Sequence, residues 1–239
     1  DAIDQAGPGD LIYLEGGTYE MDDKIEVNGD GSSGQRITIA GVPGQNPELD
    51  FSSIPSPDSE DPEFDYGAEV EANGKYWTMR NIELSGSPGF GIRARNGEQH
   101  LIFENIDSHD HVLSGIALIE SSDNIIRHSK FHHNYDEANG GEHADGVAIK
   151  QGAKAMNNGE KNADNNRLEC VDMYYNSDDG FDAYRSHDNE LFYNRAWKNG
   201  MIEEGRMAPD GNGNGFKFGP WLAGGHLVVG NMAWSNERM

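Results

Sequence analysis

The sequence predicts an all-β fold, a right-handed parallel β-helix solenoid with a short N-terminal capping helix. Three observations carry that expectation. A motif of glycine, large apolar residue, variable residue and apolar residue recurs five times. A second short strand precedes each copy. Asn and His gather at the strand ends, as in Asn165-Asn166 and Asp188-Asn189. A unit of roughly 20 to 35 residues cannot bury its apolar side alone, whereas stacked units can. A β-sandwich would explain the alternation but not the aligned glycines.

The elements follow in order. Asp1 to Ala6 reads as the capping helix, then Gly7-Pro8-Gly9-Asp10 leads into a strand over Leu11 to Leu14. Gly16-Gly17-Thr18-Tyr19 reads as a turn and Arg36 to Gly41 as the next strand. Residues 42–66 are rich in Pro, Ser, Asp and Glu and read as a long surface loop. The preceding strands are expected at Trp77 to Leu84, Leu101 to Ile106, Ile125 to Phe131, Arg167 to Val171, Glu190 to Trp197 and His226 to Trp234. The glycine motif itself begins at Gly91, Gly115, Gly146, Gly180 and Gly215, at spacings of 24, 31, 34 and 35 residues. A single domain over 1–239 is expected. Residues 1–66 supply the cap, first coils and long loop, and 67–239 the central coils carrying the site. The chain stops at Met239 inside a repeat, so truncation of the C-terminal coils is expected.

Composition narrows the partners. The formal charge is −24, from 18 basic and 42 acidic residues. That excess disfavours nucleic acid, which requires a basic face. It keeps a folded chain soluble in high salt, so a halophilic source is expected. Long apolar runs are missing, so no membrane span is expected. The N-terminus resembles no secretory signal, and the sequence reads as a mature or trimmed chain. The one cysteine, Cys170, excludes an intramolecular disulfide and falls at an expected core position.

The repeat serves as a ruler. Alternate side chains of a strand face opposite ways. Positions one and three after each glycine are apolar and point inward. Position two points outward and holds Arg93, Ala117, Ala148, Asp182 and Lys217 in turn. Lys217 is thus expected to stack beside Asp182, one strand spacing away. The position before the glycine holds Phe90, Ser114, Asp145, Asp179 and Asn214. Asp145, Asp178, Asp179 and Asp182 therefore converge on one outer edge. Like charges this close repel unless protonated or neutralised. Oxygen-only ligands at mixed spacing suit Ca²⁺ rather than a soft metal. Taken alone, Ser177-Asp178-Asp179-Gly180 is an ordinary solvated turn and Lys217 a surface partner of Asp182. The alignment with Asp145 on the coil below favours the site. The stretch Gly211-Asn212-Gly213-Asn214-Gly215 reads as bare backbone open to a ligand.

Three segments together resemble family 9 polysaccharide lyases. They are His143-Ala144-Asp145-Gly146, Asn176-Ser177-Asp178-Asp179-Gly180-Phe181-Asp182 and Gly213-Asn214-Gly215-Phe216-Lys217-Phe218-Gly219. The opening from Pro8-Gly9-Asp10 through Tyr19 is similar to that of many extracellular β-helix polysaccharidases. The resemblance implies a secreted, extracellular enzyme that cleaves acidic, polygalacturonate-like polysaccharide by β-elimination. It implies Ca²⁺ on Asp145, Asp178, Asp179 and Asp182, and Lys217 as the base that takes the C5 proton. Lys150 and Arg185 have the parity and place to pair with uronate carboxylates. His143, His109, His111, His128, His132 and His133 read as turn residues. The stretch from Gln151 to Asn166, with Lys154, Asn157-Asn158-Gly159 and Lys161, reads as a long loop beside the site. A monomer is expected. Two other classes stay open: a β-helix glycoside hydrolase using the aspartates as acid and base, and a non-catalytic Ca²⁺-stabilised carbohydrate-binding β-helix.

Overall fold

The computed structural model describes residues 2–56, 67–95, 97–151, 163–219 and 224–238. These residues wind into a parallel β-helix with three walls. The wall that carries the glycine motif has seven strands: Ile25–Val27, Ala68–Ala72, Phe90–Ala94, Ile116–Ile119, Val147–Lys150, Phe181–Tyr184 and Phe216–Phe218. Its register is the one the repeat predicts. Ala148 pairs with Asp182 and Asp182 with Lys217, while Val147, Phe181 and Phe216 follow one another inside.

The other two walls share the long strands Trp77–Ser85 and Ile102–His109, which bend at Asn81 and Asn105. In later coils each expected strand is split in two at the same place. Arg167–Glu169 and Asp172–Tyr174 flank Cys170, and Glu190–Phe192 and Arg195–Trp197 flank Tyr193. Asn81, Asn105, His128, Cys170 and Tyr193 form one column of left-handed corners, with φ from 51 to 56°. A left-handed residue breaks the in–out alternation. For that reason Cys170 is exposed at a corner and not in the core, and Val171 takes the buried place instead. Here the sequence expectation is corrected.

Two further corrections concern the N-terminal coils. Gly17–Glu20 is a strand rather than a turn, and the expected loop over 42–66 contains the strand Pro47–Asp50. The two pair with each other, and Leu49 and Phe51 drop into the core. Pro47 opens its strand, a place that spares it an interior position in the ladder. Residues 57–66 lie outside the described set. The capping helix spans Ala2–Gln5, and Ile3 and Ala6 pack on the core.

One apolar cluster runs through the coils from Val27 to Ala196. Between coils, buried asparagines form ladders. Asn134 donates to Asn176 Oδ1 at 2.8 Å, Asn176 to Asn199 at 3.0 Å and Asn199 to Asn236 at 2.9 Å. This ladder explains the recurring glycines. A Cβ on Gly180 would lie 2.8 Å from Asn199 Nδ2 and 2.6 Å from the Gly215 carbonyl oxygen. At Gly146 it would meet Asn176 Nδ2 and the Gly180 carbonyl at 2.9 and 2.7 Å. Close approach, not left-handed backbone, demands glycine there.

A second ladder lies on the outside. His109, His132, Tyr174, Trp197 and Trp234 stack ring on ring across five successive coils, with centroids 4.4 to 5.0 Å apart. The strand spacing of about 4.8 Å sets that distance. Beside it, Lys130 pairs with Asp107 and Arg195 with Asp172. No helix among the described residues is long and apolar enough to cross a membrane.

Candidate active site

The position before each motif glycine builds a hydrogen-bonded column. Ser114 Oγ accepts from the Asp145 N–H at 3.1 Å, and Asp145 Oδ1 accepts from the Asp179 N–H at 3.2 Å. Asp179 Oδ1 in turn accepts from the backbone and side-chain amides of Asn214, both at 2.8 Å. Each coil thus offers its side chain to the backbone of the next. Asp178 sits one residue earlier. Its Oδ1 accepts from the Asn212 N–H at 2.6 Å and from Asn212 Nδ2 at 2.9 Å.

Asp145, Asp179 and Asp182 each place one carboxylate oxygen within 4.8 Å of the others. All three side chains are buried. Asp178, also buried, borders this trio with its carboxylate held by Asn212. Two lysines reach in. Lys217 Nζ is 2.9 Å from Asp179 Oδ2 and 3.4 Å from Asp182 Oδ2. Lys150 Nζ is 3.2 Å from Asp145 Oδ2 and 3.3 Å from Asp182 Oδ2. Arg185 stands apart. It occupies a left-handed corner with φ 56°, and its guanidinium packs over the Tyr184 ring at 5.1 Å. Among the described residues it makes no ion pair. Residues 152–162, the bulk of the loop expected beside the site, are outside the described set, Lys154 and Lys161 included.

Electrostatics follows from burial and crowding. Burial raises the Asp145 carboxyl well above its usual range, and the neighbouring aspartates add to that against Lys150. Burial and Asp179 raise Asp178 to about 6, against the two bonds from Asn212. Asp179 is also raised, chiefly by burial, with Lys217 opposing. Burial alone would lower Lys217, but Asp182, Asp179 and Asp145 outweigh it and hold the ammonium above its ordinary value. Asp182 Oδ1 is buried and makes no hydrogen bond. An oxygen-only donor set with an orphaned buried oxygen fits a hard cation of flexible coordination such as Ca²⁺.

Sequence reasoning missed the asparagines. The glycine-rich stretch 211–215 is not bare, because Asn212 and Asn214 clamp the two adjacent aspartates. The signal was present, since Asn214 occupies the same column as Asp145 and Asp179. The outward residues Ala117 and Ala148 are also buried rather than solvated. A small apolar cluster of Ala68, Phe90 and Leu113 packs with them on the outside of the wall, joined by Val112 and Ile119. Among the histidines, His111 is a buried structural group. Its Nδ1 accepts from the Ser87 N–H at 3.0 Å and its Nε2 lies 2.9 Å from Ser108 Oγ. His143 Nδ1 is 2.8 Å from the buried carboxylate of Asp136.

Fold and site together define a parallel β-helix with a buried carboxylate trio and paired lysines on one outer wall. The whole chain, residues 1–239, matches the family described as Pel9A-like, right-handed β-helix region, and belongs to it. The helix is thus right-handed, and the motif resemblance and the match agree. The chain is 32% identical over 244 residues to pectate lyase L of Dickeya chrysanthemi, covering 98% of this chain and 54% of that protein. The crystal structure of pectate lyase Pel9A matches with a TM-score of 0.80 at 29% identity, over 98% of this chain and 57% of that one. A rhamnogalacturonan lyase structure shares the fold at a TM-score of 0.78 and 20% identity, over 97% and 62%. The chain spans about half the length of the curated relatives it matches.

Proposed function

We propose that this chain carries the catalytic coils of a secreted, Ca²⁺-dependent polysaccharide lyase. The substrate is a polygalacturonate-type uronan, and the reaction is β-elimination. The observation that carries the reading is Lys217 Nζ, 2.9 Å from Asp179 and 3.4 Å from Asp182, beside a carboxylate trio on an outer wall. The relatives named pectate lyase support the same chemistry.

Lys217 takes the C5 proton of the uronate as a Brønsted base. The electron pair of that C–H bond becomes the C4–C5 double bond, the C4–O bond breaks, and the departing oxygen is protonated from water. A base must be neutral to act, and a free lysine titrates near ~10.4. Burial lowers Lys217, but Asp182, Asp179 and Asp145 outweigh it and raise the ammonium above its ordinary value. Ca²⁺, when bound by Asp145, Asp179 and Asp182 with Asp178 beside them, supplies the positive charge that offsets this field and withdraws electrons from the uronate carboxylate. Lys150 and Arg185 are assigned to substrate carboxylates, which an acidic protein must otherwise repel. The hydrolase alternative is less favoured. Hydrolysis needs an acid and a base carboxyl on opposite sides of the scissile bond, whereas Asp145, Asp179 and Asp182 crowd together and pair with Lys150 and Lys217.

The test is polygalacturonate cleavage followed by ultraviolet absorbance of the unsaturated product, with and without Ca²⁺, on the wild type and Lys217→Ala. Product is expected only from the wild type with Ca²⁺, rising toward alkaline pH, while circular dichroism shows the variant folded. Turnover by Lys217→Ala would remove the lysine from the reaction. Reducing ends without new absorbance would point to hydrolysis.

A further inference from the structure

Lys150 ends the strand Val147–Lys150. Its partners in register are Ile119 on the coil below and Tyr184 on the coil above, neither of them charged. Its ammonium reaches back instead to Asp145 on its own coil and diagonally to Asp182 on the next, at 3.2 and 3.3 Å. The side chain is only 20% exposed. Asp182 Oδ2 is therefore shared by two ammonium groups, with Lys217 approaching it from the far coil at 3.4 Å.

The two lysines are not equivalent. Charge-assisted N–H···O bonds run about 2.7 to 2.9 Å. Lys217 makes one contact of that length, 2.9 Å to Asp179. Lys150 instead bridges two coils, at 3.2 Å to Asp145 and 3.3 Å to Asp182. The oxygens it contacts, Asp145 Oδ2 and Asp182 Oδ2, belong to two of the three carboxylates that fit a metal. A calcium ion on those carboxylates at about 2.3–2.6 Å would put a double positive charge beside the ammonium. The two cations cannot share these oxygens without strong repulsion.

We propose that Lys150 is a resident counter-cation that competes with the metal. It neutralises Asp145 and Asp182 in the metal-free state and thereby weakens Ca²⁺ binding. It is driven off these oxygens when the metal enters, which frees its ammonium for a uronate carboxylate. Ion entry and substrate capture are thus coupled through one side chain. This rests on the reading of the trio as a Ca²⁺ site.

The experiment is calorimetric titration of the whole chain with CaCl₂ at low ionic strength, for the wild type, Lys150→Met and Lys150→Arg. Removing one like charge a few ångströms from the metal is expected to tighten Ca²⁺ binding roughly tenfold or more in Lys150→Met, while Lys150→Arg stays near the wild type. Equal or weaker binding by Lys150→Met overturns the competition. Failure of the wild type itself to bind Ca²⁺ overturns the metal-site reading instead. Acetylation of the wild type, read by mass spectrometry, needs no variant. Lys150 is expected to react faster in Ca²⁺ than in chelator, and an unchanged or slower rate overturns its release. With saturating Ca²⁺, the KM of Lys150→Met for polygalacturonate should rise, and an unchanged KM overturns the coupling to substrate.

Discussion

His109 and His111 lie two residues apart and titrate in opposite directions. Burial opposes the charge on His109, yet the hydrogen bonds it donates to Asp110 and Glu83 raise it to about 9. Burial, joined by the neighbouring His109 and only weakly opposed by Asp110, lowers His111 to about 3. The signs for stability follow by linkage. A folded pKa above the unfolded value stabilises fully below ~6.5 and loses that contribution as pH rises through about 9. A lowered value stabilises above ~6.5 and loses it as pH falls toward 3. His109→Gln is therefore expected to melt with a smaller loss between pH 6.5 and 9 than the wild type, and equal losses would contradict the ion pairs. Single residues were the least legible scale. All six of these turn histidines looked alike in the sequence, because partners come from other coils. Asp145 and Asp179 were legible because they share the position before the motif glycine, Asp182 and Lys217 because they share the second position after it, and neighbouring coils keep register. Lys150 was seen as an outward cation, but its diagonal reach to Asp182 depends on side-chain geometry that spacing does not contain.

Strands of the glycine motif were legible as elements because period-two alternation and a fixed inward parity coincide in them. The other walls were harder. Left-handed corners at His128, Cys170 and Tyr193 carry no common residue type, so one strand was expected where the chain makes two. The strand Pro47–Asp50 hid within a segment rich in turn formers. The motif glycine has a testable cause, since the space beside it belongs to an asparagine amide and a carbonyl. Gly180→Ala is expected to cost about 1–3 kcal/mol in urea unfolding, as overpacking does. The neighbouring carboxylates should be displaced with it, so Ca²⁺ affinity should fall as well. An Ala variant as stable as the wild type would mean that the ladder yields freely.

The coils touch chiefly their neighbours, so stability adds along the axis in nearest-neighbour steps. Across all of them the chain carries −24 net charge, and self-repulsion opposes compaction. Screening shortens the range of that repulsion to ~3 Å at 1 M salt. The melting temperature is therefore expected to climb between 50 mM and 1 M NaCl, and a flat or falling trend would show that the acidic excess is already neutralised. The β-helix as a whole was the most legible level, because repetition makes one coil predict the next. The outer ring stack carries a separate consequence. Tyr174, Trp197 and Trp234 lie face to face at 4.4 and 5.0 Å across three coils. Light absorbed by the phenol passes to the indoles before it can be emitted. Recovery of tyrosine fluorescence during unfolding therefore reports optically when those three coils come apart.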